Sequence, residues 1–369
     1  MRYILLKGMI ISALLAFITN VQAQDYYVYV SSASPEDNVG IYRYSFNEKK
    51  GDLKYIEKSK LLKVSSYLNI SSSGKFLYSV ANGKIHSFSV SGKTGELVFL
   101  NSQAVSGGPC YVSVDKTDKW VFVANYGSGT IDVFPVIGEK GLAKAQQTIY
   151  QKGSSINKER QESAHPHMIL SSPDNKFVLV PDLGADKIFV YPFNEKTGLL
   201  DESHSAGVKS APGSGPRHFE FHPDGKYVYV LNELNSTVTA YIWDKLGGNL
   251  SEIETKELLP GAFTEFNKSA DIHITPDGRF LYASNRGHNS ITAFKLMKDG
   301  KLDFIRRFPS GGDYPRNFFI SPGGNYLLVA NKHSGNIIVY KINRQNGMLS
   351  KEQEVTGISS PQCIKFIKE

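Results

Sequence analysis

Six ionisable side chains stand at places where a repeating sequence stops repeating: His167, Arg217, Arg316, Glu233, Arg286 and Lys332. The first three lie six residues before a turn proline, a place held by Ala270 in another copy and by Cys110, Ser66 and Gln362 in the less regular ones. The last three lie six residues after the first aromatic of the following strand, where other copies carry Asn82, Tyr126 and Leu183. Structural repeats should hold similar residues at equivalent places, so charged groups used singly there are the strongest functional signal in the chain. Guanidinium forks grip carboxylate or phosphate in a bidentate way, and several cations around one acid and one histidine suit an anionic ligand. Glu233 or His167 can serve as a general base if its pKa suits. Arg316, Lys332, Tyr126, Asn285 and His288 form the candidate binding set around them.

These residues need a frame that brings them together, and the repeat supplies it. One line runs from Gly215 to Asn232 through the turn His222-Pro223-Asp224-Gly225. It returns from Ser269 to Asn285, from Tyr314 to Asn331, from Pro166 to Asp182 and from Pro109 to Asn125, and more weakly from Ser66 to Asn82. The turn prolines 173, 223, 276 and 322 are 50, 53 and 46 residues apart. Each copy reads as an alternating strand, a Pro-Asp-Gly type turn and a second strand rich in Tyr, Phe and Val. A third strand such as Asn336–Tyr340, a Gly-Leu-like turn and a short fourth strand close the unit. Four strands in about 50 residues make one blade of a β-propeller.

The chain ends set the number of blades. Ser360 to Phe366 is a first strand with nothing after it, and Tyr26 to about Lys58 holds three strands with no first strand before them. Together they make one blade, so the expectation is an all-β, seven-bladed propeller with one blade closed by the N-terminal strands and the C-terminal strand. Such closure removes exposed sheet edges. A two-domain sandwich would not account for complementary fragments at the two ends. In each hairpin the start of the first strand lies beside the end of the second, which puts both sets of divergent residues at one mouth of the central channel.

Arg2 and Lys7, the apolar run Met9 to Ile18 and the small-residue site Val21-Gln22-Ala23 read as a secretory signal. Ten apolar residues fall short of the roughly 20 that span a bilayer. The expectation is a removed segment 1–23, a single domain 24–369, export to the periplasm and no membrane span in the mature chain. Loss of Arg2 and Lys7 lowers the net charge from +7 to +5, and no block of like charges suggests a nucleic-acid partner. Nothing in the sequence sets an oligomeric state.

Other chemistry is poorly supported. Two cysteines, Cys110 and Cys363, lie in blades separated by another blade, and no disulfide is expected between them. His165 and His167 lack an acid or cysteine at ligand spacing, so neither a metal nor a cofactor is expected. His218, His222 and His273 sit in strand-and-turn frames and are expected to pack or to face solvent. His288 and His333 fall in short loops after the rim. Tyr126-Gly127-Ser128-Gly129 lacks the helix that a phosphate loop requires, and no nucleophile elbow is present.

Several stretches together resemble a known family. Gly108–Asp115, Ala124–Gly129, Pro181–Asp186, Gly215-Pro216-Arg217-His218, Leu231–Asn235 and Ser284–His288 are similar to the lactonase seven-bladed propellers, which include propeller-type 6-phosphogluconolactonase and fungal carboxy-muconate lactonizing enzyme. The resemblance covers essentially the whole chain after the signal. It implies a metal-free site in the channel that handles a lactone, with a histidine, two arginines and a glutamate falling on His167, Arg217, Arg286 and Glu233. The implied function is hydrolysis of a sugar lactone, with or without a phosphate. An export signal argues against the phosphorylated form more than against the chemistry. The alternative is a non-catalytic envelope propeller that captures an anionic sugar or a protein partner.

Overall fold

The computed structural model describes residues 25–34, 40–59 and 61–369; the signal segment 1–23 lies outside them. Seven antiparallel sheets are arranged around a channel. Their innermost strands are Tyr67–Ile70, Pro109–Val114, Leu170–Ser171, Pro216–Phe221, Lys268–Ile274, Pro315–Ile320 and Pro361–Lys368. The last pairs antiparallel with Asp25–Ser32, so the two chain ends share one blade, in the order expected from the sequence.

Local sequence dictates the hairpins. The turn between first and second strands ends on Gly74, Asp118, Asn175, Gly225, Gly278 or Gly324, all at positive φ between 57° and 73°. Where glycine is missing, Asp118 and Asn175 take its place, the side-chain types that tolerate this conformation best. Between blades, buried tyrosines tie one sheet to the next. Tyr229 donates to the Gly300 carbonyl at 3.0 Å and Tyr282 to the Gly347 carbonyl at 2.9 Å.

One deviation from regular pairing matters for function. The first strands are bulged at Cys110, Arg217, Ala270–Asp271 and Arg316, and pairing skips Gln362 in the closing blade. Bulges re-aim side chains, and here they fall on the divergent place six residues before the turn proline. The blade built from Leu170 to Lys209 departs from the simple pattern. Its outer edge is split, Leu199–Leu200 pairing with one end of Lys187–Asn194 and Ala206–Lys209 with the other. The connection from Gln147–Tyr150 to Leu170–Ser171 is the longest between blades, and it returns over the mouth.

Candidate active site at the channel mouth

Glu233 is the hub of the mouth. It follows the strand Tyr227–Asn232, and its side chain is almost wholly buried. Its Oε2 accepts from Arg217 Nε at 2.9 Å and from Arg286 Nη2 at 2.7 Å, and its Oε1 accepts from Arg160 Nη2 at 2.7 Å. Burial opposes its charge, but the guanidiniums of Arg286, Arg217 and Arg160 outweigh that and hold the carboxyl well below the usual range. Glu233 is therefore an ionised anchor. Of the two bases that the sequence left open, it is the worse placed to take a proton.

The anchoring consumes some donors and leaves others. Arg217 spends Nε on Glu233 and Nη1 on His218 Nε2, at 3.1 Å, and on the Ala270 carbonyl. Arg286 spends Nε on the Lys268 carbonyl and Nη2 on Glu233 and the Ser269 carbonyl. Among the described residues, Arg217 Nη2 and Arg286 Nη1 have no protein acceptor. Arg160 also reaches the Tyr126 hydroxyl at 3.3 Å, while its buried Nη1 has no partner. Arg316 is partly buried, and among the described residues no carboxylate pairs with it. The Arg286 guanidinium and the Lys332 ammonium stand 5.2 Å and 5.8 Å from the ring centre of Tyr314. One carboxylate thus serves a cluster with a clear surplus of cations.

His167 lies beside this cluster, its Nδ1 buried without a hydrogen-bond partner. Burial, reinforced by Arg217 and His218, pushes its pKa well below the ordinary histidine value, so the ring is neutral at pH 7. Its ring meets Tyr126 and His218 edge-on, with centroids 5.6 Å and 5.3 Å away. Cys110 occupies the equivalent place in the preceding blade, but burial pushes its thiol up to about 12, which removes it as a nucleophile. Both cysteines are free thiols.

The structure brings His167, Arg217, Glu233, Arg286 and Tyr126 into one contact network, with Arg316 and Lys332 beside it. It does not bring Asn285 or His288 into that network. Asn285 is fully buried. It accepts from Ser269 and donates to Ser290 and Thr292, which leaves no free group for a ligand. His288 Nδ1 lies 2.8 Å from Ser290 Oγ, and its ring meets Phe263 edge-on. His218 and His273 pack, as expected, on the innermost strands of neighbouring blades. His218 Nδ1 lies 2.7 Å from Asp271 Oδ1, and His273 lies 3.3 Å from both Asp271 and Glu220. His222 is a turn residue, with Nε2 2.9 Å from the Gly278 carbonyl. His165 stacks on Tyr126 at 4.4 Å. Among the described residues, no group of three or more His, Cys, Asp or Glu side chains could hold a metal ion.

Arg160 was not foreseen because it lies outside the repeat. The signal available in the sequence was the unusual length of the connection that carries it. Gln161 fixes that connection, donating to the Leu183 carbonyl at 2.9 Å.

A profile described as lactonase, 7-bladed beta-propeller, matches residues 27–366. The chain belongs to the seven-bladed lactonase family. A 6-phosphogluconolactonase of Bacillus subtilis is 34% identical over 350 residues, covering 93% of this chain and 99% of that one. A 6-phosphogluconolactonase of Formosa agariphila is 37% identical, covering 91% and 98%. Among solved structures of lactonase propellers, the periplasmic gluconolactonase of Pseudomonas aeruginosa superposes with a TM-score of 0.86 at 30% identity, covering 93% of this chain and 99% of that one. No helix among the described residues is long and apolar enough to cross a membrane.

Proposed function

We propose that this protein hydrolyses a sugar lactone at the mouth of its channel. One observation carries the reading beyond family membership: Glu233 locks Arg217 and Arg286, each with one amino group that no acceptor among the described residues takes, in the same cationic cluster whose field acts on the neutral, buried His167. In this reading His167 accepts a proton from water as the oxygen attacks the ring carbonyl. The developing oxyanion lies against Arg217 Nη2 and Arg286 Nη1, where preorganised positive charge contributes most. Collapse breaks the bond from the carbonyl carbon to the ring oxygen, and that oxygen takes the proton back from His167. The product is an open-chain hydroxy acid.

The cation surplus gives the substrate an anionic group. Arg316, Lys332 and the free Nη1 of Arg160 would hold a phosphate or carboxylate carried by the sugar. Arg2, Lys7 and the apolar run after them support export to the periplasm, which agrees with a neighbour named as a periplasmic gluconolactonase. Capture without turnover is the second reading, and it draws on the same salt bridges, because a carboxylate fully engaged by arginines needs no catalytic role. A lactone panel separates the two. Release of acid above the buffer rate, lost in His167→Asn, supports hydrolysis; tight binding with no acid release supports capture.

A further inference from the structure

Behind Arg217 runs a buried chain of polar groups that the proposed reaction does not use. Asp271 and His218 are both nearly inaccessible. Asp271 Oδ1 lies 2.7 Å from His218 Nδ1, and its Oδ2 accepts from the Asn317 amide and from the Phe318 backbone N–H at 3.3 Å. On the other side of the ring, His218 Nε2 lies 3.1 Å from Arg217 Nη1. Arginine can only donate, so His218 Nε2 must accept, and Nδ1 must carry the proton given to Asp271. The carboxylate therefore fixes the tautomer, and the tautomer fixes the acceptor that Arg217 needs. Tyr111 and Tyr67 wall the ring edge-on, with centroids 5.3 Å and 6.2 Å away, so it has little freedom to turn.

We propose that Asp271 and His218 are positioning residues that aim the free Nη2 of Arg217 at the reacting carbonyl. Arg217 sits on a bulge, which takes it out of the regular strand pairing and re-aims its side chain. Three anchors compensate: Glu233 at Nε, and the Ala270 carbonyl and His218 at Nη1. With both Nη1 hydrogens taken, the planar guanidinium has one orientation and presents one edge. His218 meets the His167 ring only edge-on, at 5.3 Å and with no hydrogen bond between them, so its effect on the reaction runs through Arg217. A misplacement of about 1 Å at such a site can cost on the order of 100-fold in rate.

This inference rests on the lactonase reading, so its test has an arm that does not. His218→Leu removes the acceptor, whereas His218→Gln can offer a side-chain carbonyl close to the place of Nε2. On a sugar δ-lactone, His218→Leu should lower kcat by about 10- to 100-fold and His218→Gln by no more than about threefold. In an Arg217→Lys background, the same two substitutions should cost no further rate, since their effect passes through Arg217. The same proteins are titrated with gluconate, the open-chain acid whose carboxylate takes the place of the reacting carbonyl against Arg217 Nη2; His218→Leu should weaken its binding by about tenfold and His218→Gln should not. Should the wild type prove inactive on lactones, the lactonase reading fails and the gluconate titration alone decides the positioning role. Equal losses in Leu and Gln variants, or losses that multiply with Arg217→Lys, overturn the proposal, because a purely packing role would produce them.

Discussion

Arg217 Nε lies 2.9 Å from Glu233 Oε2, with both side chains almost entirely buried. The pair joins two places that the repeat leaves variable, the bulge of one strand and the first residue after the next. Glu233 draws in Arg286 from the neighbouring blade and Arg160 from the long connection, so one carboxylate organises cations from separate parts of the chain.

Glu233→Gln should therefore damage activity and stability together. Removing one member of a buried ion pair typically costs about 3–5 kcal/mol, and here three guanidiniums lose their counter-charge. Chemical denaturation should show a loss of that order, and lactone hydrolysis should fall by about 100-fold or more. A variant as stable as wild type would mean that Glu233 is not the anchor.

Arg160→Ala should discriminate between substrates. Its free Nη1 is assigned to the anionic group, so KM for a phosphorylated sugar lactone should rise by roughly tenfold. KM for the unphosphorylated lactone should change much less. Steady-state kinetics on the two lactones reads this directly, and equal effects on both would assign Arg160 to the support of Glu233 alone.

Activity should not show an inflection near the ordinary histidine pKa. Burial and the neighbouring cations keep His167 deprotonated well below that value, so kcat/KM should stay flat from about pH 8 down through 6.5 and fall only in more acidic buffer. His167→Asn should lose about 10²- to 10⁴-fold across the whole range. A wild-type inflection near neutrality that vanishes in His167→Asn would contradict the depressed value.

Stability should peak near pH 6.5, for reasons of opposite sign. His167 stays neutral when folded, and burial with Arg217 beside it pushes His218 down to about 3. Below about pH 6.5 the unfolded chain takes up protons that these two residues refuse, so stability falls as pH drops, by up to about 1.4 kcal/mol per pH unit for each. Burial opposes the charge of His273, but Asp271 and Glu220 outweigh it and raise its pKa to about 9. Its contribution is complete below about pH 6.5 and is lost as pH rises towards 9. Thermal melts from pH 4 to 10 should show the maximum, and His273→Gln should flatten the alkaline side alone.

The sequence revealed most of the fold because its information is periodic. The turn residues, the alternating strands and the complementary ends each recur or pair, so Gly225 and Asn175 could be read as one feature. The divergent rim was legible for the same reason, since a break in a repeat stands out. Arg160 was hidden because it sits in an insertion with no counterpart in other blades. His218 and Asp271 were hidden because their roles depend on contact between neighbouring blades, about 50 residues apart in sequence, and on a bulge that no pattern of hydrophobicity announces. Asn285 was misleading: it adjoins Arg286 in sequence, but strand alternation sends its side chain into the hydrogen bonds of its own hairpin.

Acid release from phosphorylated and unphosphorylated glucono-δ-lactone shows whether the cationic mouth catalyses lactone opening. Wild type and Arg217→Ala are measured at pH 7 against a buffer control, because lactones open unaided. The wild-type rate should lie well above buffer and be faster with the phosphorylated substrate, and the Arg217→Ala rate should lie close to buffer. Wild type indistinguishable from buffer on both lactones, while still binding phosphate, would contradict catalysis at the mouth and leave a propeller that captures anions without turning them over.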